Sequence, residues 1–512
     1  MRTIELQTAI VGGGVAGSYA GWRLAGAGCE GLGLFEYSPR VGGRLMSFDV
    51  PGIKAKAELG GMRFLSSHRR VVKLVEQFGL PHEELLIGDP EGRNLYYLRG
   101  NHFTEADWKV PAFHPPYQLD RHEKARSPSD LLHAVALKYQ HQAESLRDVG
   151  FWNLLLDEYS DEAYRLIQDA GGYDTVVNNW SAAEAIPFLI ADFAPGLRYM
   201  KLLDGFDSLP RTLAKGFESL GGRLHLQHRL HRIDYDSAAG RFRLLFDTSG
   251  DNRARVTPLD SNAVVVEAER VILAMPRRSI ELLHPESVVF RSVEFESALQ
   301  TVLPQAAFKL FAAYATPWWA ETRGVVAGRS ATDLPIRQCY YWQTGDSNLP
   351  IGQKNSMLMA SYNDGGSVEF WAGLARDPER YQPNPAICPP GVGIPDFVQN
   401  QSASRRLVAE MQNQLREMHG LNIDSKHSKA IDPYVAIFQD WTQEPFGGGW
   451  HFWKIGADAR KVMKLMQRPI PELSLHVCGE AWSRQQGWVE GALETTDDLL
   501  VSQFGIHLGG EQ

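Results

Sequence analysis

The sequence predicts a chain of mixed α/β and α+β class, built from a Rossmann-type unit, a β-rich unit and a helical unit. Three observations predict it. A strand, a glycine turn and a helix open the chain at residues 8–25. Helical periodicity without glycine clusters dominates roughly residues 105–200. Strand patterns and a second glycine-rich strand-to-helix junction fill the C-terminal third.

The opening stretch Thr8-Ala9-Ile10-Val11 is short, apolar and β-branched, and it stops at Gly12-Gly13-Gly14, as a buried parallel strand does. After Gly17 the pattern changes to Tyr19, Trp22, Arg23 and Leu24 with small residues between, which suits a helix packed on a sheet. The next apolar segment, Leu32 to Phe35, ends in Glu36, 19 positions beyond Gly17. A carboxylate at the tip of a second strand accepts hydrogen bonds from ribose hydroxyls, while the first helix aims its free N–H groups at a pyrophosphate. Gly12, Gly14, Ala16 and Gly17 with Glu36 therefore read as a dinucleotide cradle. Gly42, Gly43 and Arg44 follow, where bare backbone and a guanidinium approach the same phosphates from the other side.

Composition narrows the function. The 512 residues carry 52 Lys plus Arg against 61 Asp plus Glu, a net charge of −9 with the signs evenly mixed, which speaks against a nucleic-acid partner. Cys29, Cys339, Cys388 and Cys478 lie far apart, so no zinc or redox pair is expected and no metal is assigned; they read as buried thiols of a reducing compartment. Charged Arg2 and Glu5 precede the first strand without room for a leader, and no apolar run approaches the ~20 residues of a membrane span. A cytoplasmic location without membrane attachment is the expectation.

Glu36 followed by Gly42-Gly43-Arg44 resembles the flavin-dependent amine oxidase family, and the resemblance continues along most of the chain. It implies an amine oxidase/glutathione-reductase-like FAD fold with FAD bound non-covalently. The block Glu58 to Phe64 is similar to the segment that lies against the flavin, with Gly60, Gly61 and Met62 beside the ring. The Met62-Arg63 pair matches the L-amino-acid oxidases, where the arginine grips the substrate carboxylate. A planar fork suits that group. The helical region resembles the family's substrate entrance, and Asp157, Glu158, Asp161 and Glu162 are either a lure for a cationic substrate or a solvated face. Leu230, in a strand expected from Leu224 to Ile233, matches a residue on the adenine side of FAD.

The buried strand Val271 to Ala274 resembles the last one before the chain leaves the cofactor domain. Lys309, in the middle of an apolar strand, matches the lysine that holds water near flavin N5, where oxygen reacts. "GRSATDLPIRQCYYW" is closely similar to a stretch of L-amino-acid oxidases in which a tyrosine completes the carboxylate site; alternation lets only one of Tyr340 and Tyr341 face the cavity, and Tyr341 is favoured. Trp450 stands where some monoamine oxidases place a flavin-linked cysteine. The closing motif supplies Gly479-Glu480 for the ribityl and phosphate part, and Gly487, Trp488 and Val489 beside the flavin and the substrate amine.

The resemblance implies a discontinuous FAD domain (1–65, 203–300 and 471–512), a substrate domain (66–104 and 301–470) and a helical subdomain (105–202), assembled as a homodimer. The activity it implies is oxidative deamination of an L-amino acid: hydride passes from Cα to flavin N5, O2 reoxidises the flavin, and the products are a 2-oxo acid, ammonia and hydrogen peroxide. Three alternatives remain open at this point: an amine or polyamine oxidase with a structural Arg63, a monooxygenase giving an amide, and a flavoprotein without turnover.

Overall fold

The structure, a computed structural model, describes residues 2–507 except 125, 175–179, 193, 195, 249–262, 347, 350–353, 389–400 and 422–430. Its first sheet runs in the order Arg223–His225, Leu32–Phe35, Arg2–Val11, Val264–Leu273, Arg241–Asp247, Arg229–Asp236, and Leu475–Val477 also pairs with Val264–Leu273. The central pairs are parallel, so Val11, Phe35, Leu273 and Val477 end side by side. Everything that follows these strands emerges along one carboxyl edge, the place where open α/β sheets bind ligands. The apolar composition of the strands is explained by burial on both faces: helix Val15–Gly26 covers one side with Ser208–Ser219 and Val489–Phe504, while Phe242, Leu244, Val266 and Leu475 pack on the other.

The single strand expected from Leu224 to Ile233 is two. Arg223–His225 pairs in parallel with Leu32–Phe35, and after a turn at Gln227, whose φ is 58°, the chain pairs antiparallel with Arg241–Asp247 as Arg229–Asp236. The sheet curls, so that His225 and Phe246 stack on Phe35 at 4.7 and 4.5 Å between centroids. Helix Ser208–Ser219 holds Leu209 and Pro210 in its first turn, where a missing N–H is harmless.

The second sheet orders Val435–Asp440, Ala307–Tyr314, Ser356–Asp364, Gln338–Gln343, Arg329–Thr332, Leu95–Leu98 and Asn101–Thr104. Its period-2 alternation splits Ala307–Tyr314 cleanly. Phe308, Leu310 and Ala312 join Trp371, Leu407 and Met411 under the helices Gly366–Ala375 and Arg405–Met418; Ala307, Phe311 and Ala313 face Leu59 and Met62. Helices Pro128–Tyr139, Phe151–Glu158, Asp161–Gly171 and Ala182–Asp192 gather around Leu131, Phe151, Leu166 and Ile186. Ser127 caps the first by accepting from the Asp130 N–H, with Pro128 at its first position. Among the acidic residues of this region, Glu158 pairs with Lys138, Glu162 with Arg99 at 2.7 Å and Asp161 with Arg165 at 2.7 Å, so they serve the surface rather than a substrate. Cys339 and Cys478 are buried as expected, whereas Cys29 and Cys388 are half-buried; all are free thiols. Among the described residues no helix is long and apolar enough to cross a membrane, and no group of three or more His, Cys, Asp or Glu is placed to hold a metal.

Phe246→Ala would open the ring stack that closes the curled sheet. The expected loss is about 3–5 kcal/mol of stability, read as a lowered midpoint in chemical denaturation.

Candidate active site

A cavity of about 580 Å³ runs from the carboxyl edge of the first sheet, past the second sheet, to the inner face of the helical region. At its nucleotide end the glycines are dictated by contact distance. A Cβ on Gly12, at φ 109°, would sit 2.4 Å from the Ala274 carbonyl oxygen, and one on Gly17 would sit 1.9 Å from the Gly12 carbonyl. Gly17 therefore does not line the cavity; it lets the helix press against the turn. Gly14 and Gly42 form a backbone bridge that brings the second glycine pair beside the first. Gly14 caps helix Val15–Gly26 without a side-chain acceptor, which leaves the helix's first N–H groups for an anion. Glu36 is buried, accepting from the Gly13 N–H at 2.7 Å and the Ser38 N–H at 3.0 Å. Burial raises its carboxyl, against these hydrogen bonds. Leu230 and Ala16 line the same end.

Arg44 and Glu480 meet at the junction of the two ends of the chain. Arg44 pairs with Glu480 at 2.8 Å and donates to the Gly449 carbonyl at 3.0 Å. Glu480 also accepts from the backbone N–H groups of His451 and Gly487, each at 2.8 Å, and meets His451 Nδ1 at 3.0 Å. Burial alone would raise its carboxyl; Arg44 first, then His451 and the Gly487 N–H, hold it at about 2. Glu480 lines the cavity, as expected of a residue beside the cofactor, and within the protein it positions Arg44 and the Gly487 turn. Gly43 and Gly479 line the cavity on either side of this knot.

Farther along, Gly60, Gly61 and Met62 line the cavity as a wall, and Gly487, Trp488, Val489 and Trp450 line it too. The wall is fixed from behind. Trp441 donates to the Leu59 carbonyl at 2.7 Å, and Lys309 Nζ donates to the carbonyls of Gly60 at 2.6 Å and Glu58 at 3.3 Å. Lys309 also sits 4.6 Å from the centre of the Tyr362 ring, its cross-strand partner. The Glu58 carboxyl accepts from Ser47 and the Phe206 N–H. Burial pushes Glu58 up and Lys309 down, and the charge of each opposes the shift of the other.

The innermost chamber holds Arg63. Its guanidinium meets the hydroxyls of Tyr340 and Tyr173, each at 3.4 Å, and lies 4.5 Å from the centre of the Tyr199 ring. Tyr340 is the tyrosine that faces the cavity, contrary to the expectation for Tyr341. Alternation turns Tyr341 to the opposite face of its strand, where its hydroxyl meets Ser330 at 2.8 Å and His419 at 3.0 Å in an apolar core. Burial would raise the Tyr340 phenol, but Arg63 and Arg329 lower it. Sequence reading missed Tyr173, Tyr199, Tyr362, Asp192 and Arg329, which all line this chamber. Strand pairing brings two of them there, Tyr362 opposite Lys309 and Arg329 opposite Tyr340, and that pairing is not visible in the sequence.

The cavity's residues fit FAD. Close-packed glycines, open helix N–H groups and a buried strand-tip carboxylate suit a dinucleotide, and the side-chain-poor Gly60-Gly61 backbone with Met62, Trp450 and Trp488 in the same lining suits its ring. None of the lining residues is a cysteine.

The fold and the cavity define a flavin-dependent oxidoreductase of the amine-oxidising class, with FAD held non-covalently. The model described as flavin containing amine oxidoreductase matches residues 15–382 and 397–496, and the chain belongs to that family. It is similar to Aplysianin-A of Aplysia kurodai, at 28% identity over 98% of this chain and 90% of the relative. Achacin of Lissachatina fulica is 26% identical over 98% and 93%. The L-amino-acid oxidase of Mus musculus is 29% identical, over 72% of this chain and 55% of the relative. In fold the chain resembles a putrescine oxidase bound to putrescine, with a TM-score of 0.68, 18% identity, and coverage of 98% of this chain and 100% of the other.

Gly17→Ala would drive a methyl into the Gly12 carbonyl. The expected outcome is a protein destabilised by about 3 kcal/mol and purified with little bound flavin, read from its visible absorbance. Glu480→Gln tests the knot. A carboxylate held at about 2, against an ordinary value of 4.5, contributes stability present above pH 4.5 and lost as pH falls toward about 2. The wild type should therefore lose about 3 kcal/mol over that window through this group, and the variant should lack that slope in acid denaturation.

Proposed function

We propose that this protein oxidises an L-amino acid to a 2-oxo acid, ammonia and hydrogen peroxide, with O2 as electron acceptor. The observation that carries the reading is Arg63: a cation at the inner end of the cavity whose hydrogen-bond partners are two phenols rather than a carboxylate. A substrate carboxylate would supply the missing anion, and the guanidinium would bind it in a bidentate geometry with Tyr340 as a further donor. The names of several relatives, L-amino-acid oxidases, support the same reading.

FAD supplies a two-electron acceptor when bound. The protein's own residues set the geometry. Arg63 and Tyr340 fix the carboxylate end of the substrate. The exposed Gly487, at φ 82°, and Trp488 line the same cavity, where the Gly487 carbonyl can accept from the amine. Lys309, lowered to about 7, is able to carry or release a proton near neutrality beside the Gly60 carbonyl. The balance is one amino acid, one O2 and one water consumed for one 2-oxo acid, one ammonium and one hydrogen peroxide.

The test is anaerobic. Purified holoprotein mixed with L-amino acids, D-amino acids or decarboxylated amines should lose its yellow absorbance with L-amino acids. Arg63→Ala should lower kcat/KM for them at least about 100-fold, the loss of a charge-assisted bidentate contact of about 3 kcal/mol. Bleaching by amines alone, untouched by that substitution, would overturn the reading.

A further inference from the structure

The carboxylate of an amino acid answers one of the two cations in the inner chamber. The second is Arg329. It stands directly opposite Tyr340 in the antiparallel pair Arg329–Thr332 with Gln338–Gln343, so both side chains leave the sheet on the cavity face. Its Nη1 donates to the Gly171 carbonyl at 2.8 Å and to Gln338 Oε1 at 3.0 Å. Gln338 Oε1 also accepts from the Tyr340 hydroxyl at 3.3 Å, and that hydroxyl accepts from Arg63 at 3.4 Å. Two neutral side chains therefore link the guanidinium groups. Among the described residues neither arginine has an Asp or Glu ion-pair partner, and Nε and Nη2 of Arg329 make no hydrogen bond.

Carboxylates are within reach of this region and are used elsewhere. Arg337, eight positions on, pairs with Asp174 at 3.0 Å. The carboxyl that does share the chamber, Asp192, feels Arg63, and burial pushes it up to about 7, so near neutrality it offsets at most part of one positive charge. Arg329 is also built in rather than left over. Gly172, the left-handed cap of helix Asp161–Gly171, packs so tightly that a Cβ there would lie 2.5 Å from Gln338 and 3.1 Å from the Arg329 guanidinium. The Gln338 amide donates to the Gly172 carbonyl at 2.6 Å, which turns its oxygen toward Arg329 and Tyr340. Two partly desolvated like charges linked through Gln338 and Tyr340, with at most one partial counter-charge between them, are unfavourable unless a guest supplies negative charge to both.

We propose that the substrate carries a second carboxylate on its side chain and that Arg329 binds it, which makes the substrate class the acidic L-amino acids. The inference rests on the amino-acid oxidase reading given above and adds the specificity-determining residue. Arg63 takes the α-carboxylate beside the reacting carbon, and Arg329, one cross-strand step away, takes the side-chain carboxylate through its free Nε and Nη2 edge. A lysine-like or arginine-like side chain would meet repulsion at the same place.

The holoprotein should oxidise L-glutamate or L-aspartate with a kcat/KM at least about 100-fold above L-glutamine, L-leucine or L-lysine. Calorimetry should show glutarate, a dicarboxylate without an amine, binding at least about tenfold more tightly than butyrate. Arg329→Gln should raise KM for the acidic substrate by a factor at least about tenfold larger than for L-glutamine, with Arg329→Lys between it and the wild type. Gln338→Glu, which sets a carboxylate against Arg329 at nearly constant volume, should weaken glutarate binding in the same direction, and it serves if Arg329→Gln does not fold. Equal binding of glutarate and butyrate, or a loss spread evenly over all amino acids in Arg329→Gln, would overturn the proposal. Turnover of neutral or basic L-amino acids that depends on Arg63 and not on Arg329 would overturn it while leaving the oxidase reading intact. Bleaching by amines alone would sink that reading first.

Discussion

The parallel pairing of Arg2–Val11 with Val264–Leu273 is the contact on which the rest of the structure depends. It holds Val11 beside Leu273, and through Leu273 it holds Val477, so three distant parts of the chain end at one edge. Gly12 can then press against Ala274, Gly17 against Gly12, and Gly479 can follow Val477 into the same groove. None of these approaches would be possible if the strands were out of register by one residue, because every side chain would change faces. The cofactor groove is therefore a property of strand alignment before it is a property of any side chain.

Charge is handled differently at the two ends of the cavity. At the nucleotide end it is neutralised within the protein: Arg44 pairs with Glu480, which also accepts from His451 and the Gly487 N–H, and the first N–H groups of helix Val15–Gly26 are left to face the ligand. At the inner end Arg63 and Arg329 have no Asp or Glu ion-pair partner among the described residues, while burial pushes Lys309 down and Glu58 up. The first arrangement suits a resident group that stays bound. The second suits a guest that must bring its own charge and leave again.

Much of this was legible in the sequence. The Gly12-to-Gly17 turn, Glu36 and the strand Leu32–Phe35 could be read because local pattern and local structure coincide there. Lys309 stood out because a cation in an otherwise apolar strand has few explanations. Tyr341 was misassigned because alternation says that neighbouring residues face opposite ways without saying which way; the answer lay in the pairing of Arg329 with Tyr340, a tertiary fact. The strand expected over Leu224–Ile233 failed similarly, because a non-glycine residue with positive φ, Gln227, turns the chain where the hydrophobic alternation runs on. Tyr173 follows the cap of helix Asp161–Gly171 and Asp192 ends helix Ala182–Asp192, both remote in sequence from Arg63, and only the packing of that region brings them to it.

The knot of Arg44, Glu480 and Gly487 has a consequence for the order of biosynthesis. A ribosome delivers the first half of the cradle, through Arg44, early, yet the residues that complete it are separated from that half by more than four-fifths of the chain. Until Glu480 emerges, Arg44 lacks its partner and the strand Leu475–Val477 is missing from the sheet. The groove is thus completed only once the strand Leu475–Val477 and Glu480 have been made, long after its first glycines and helix N–H groups.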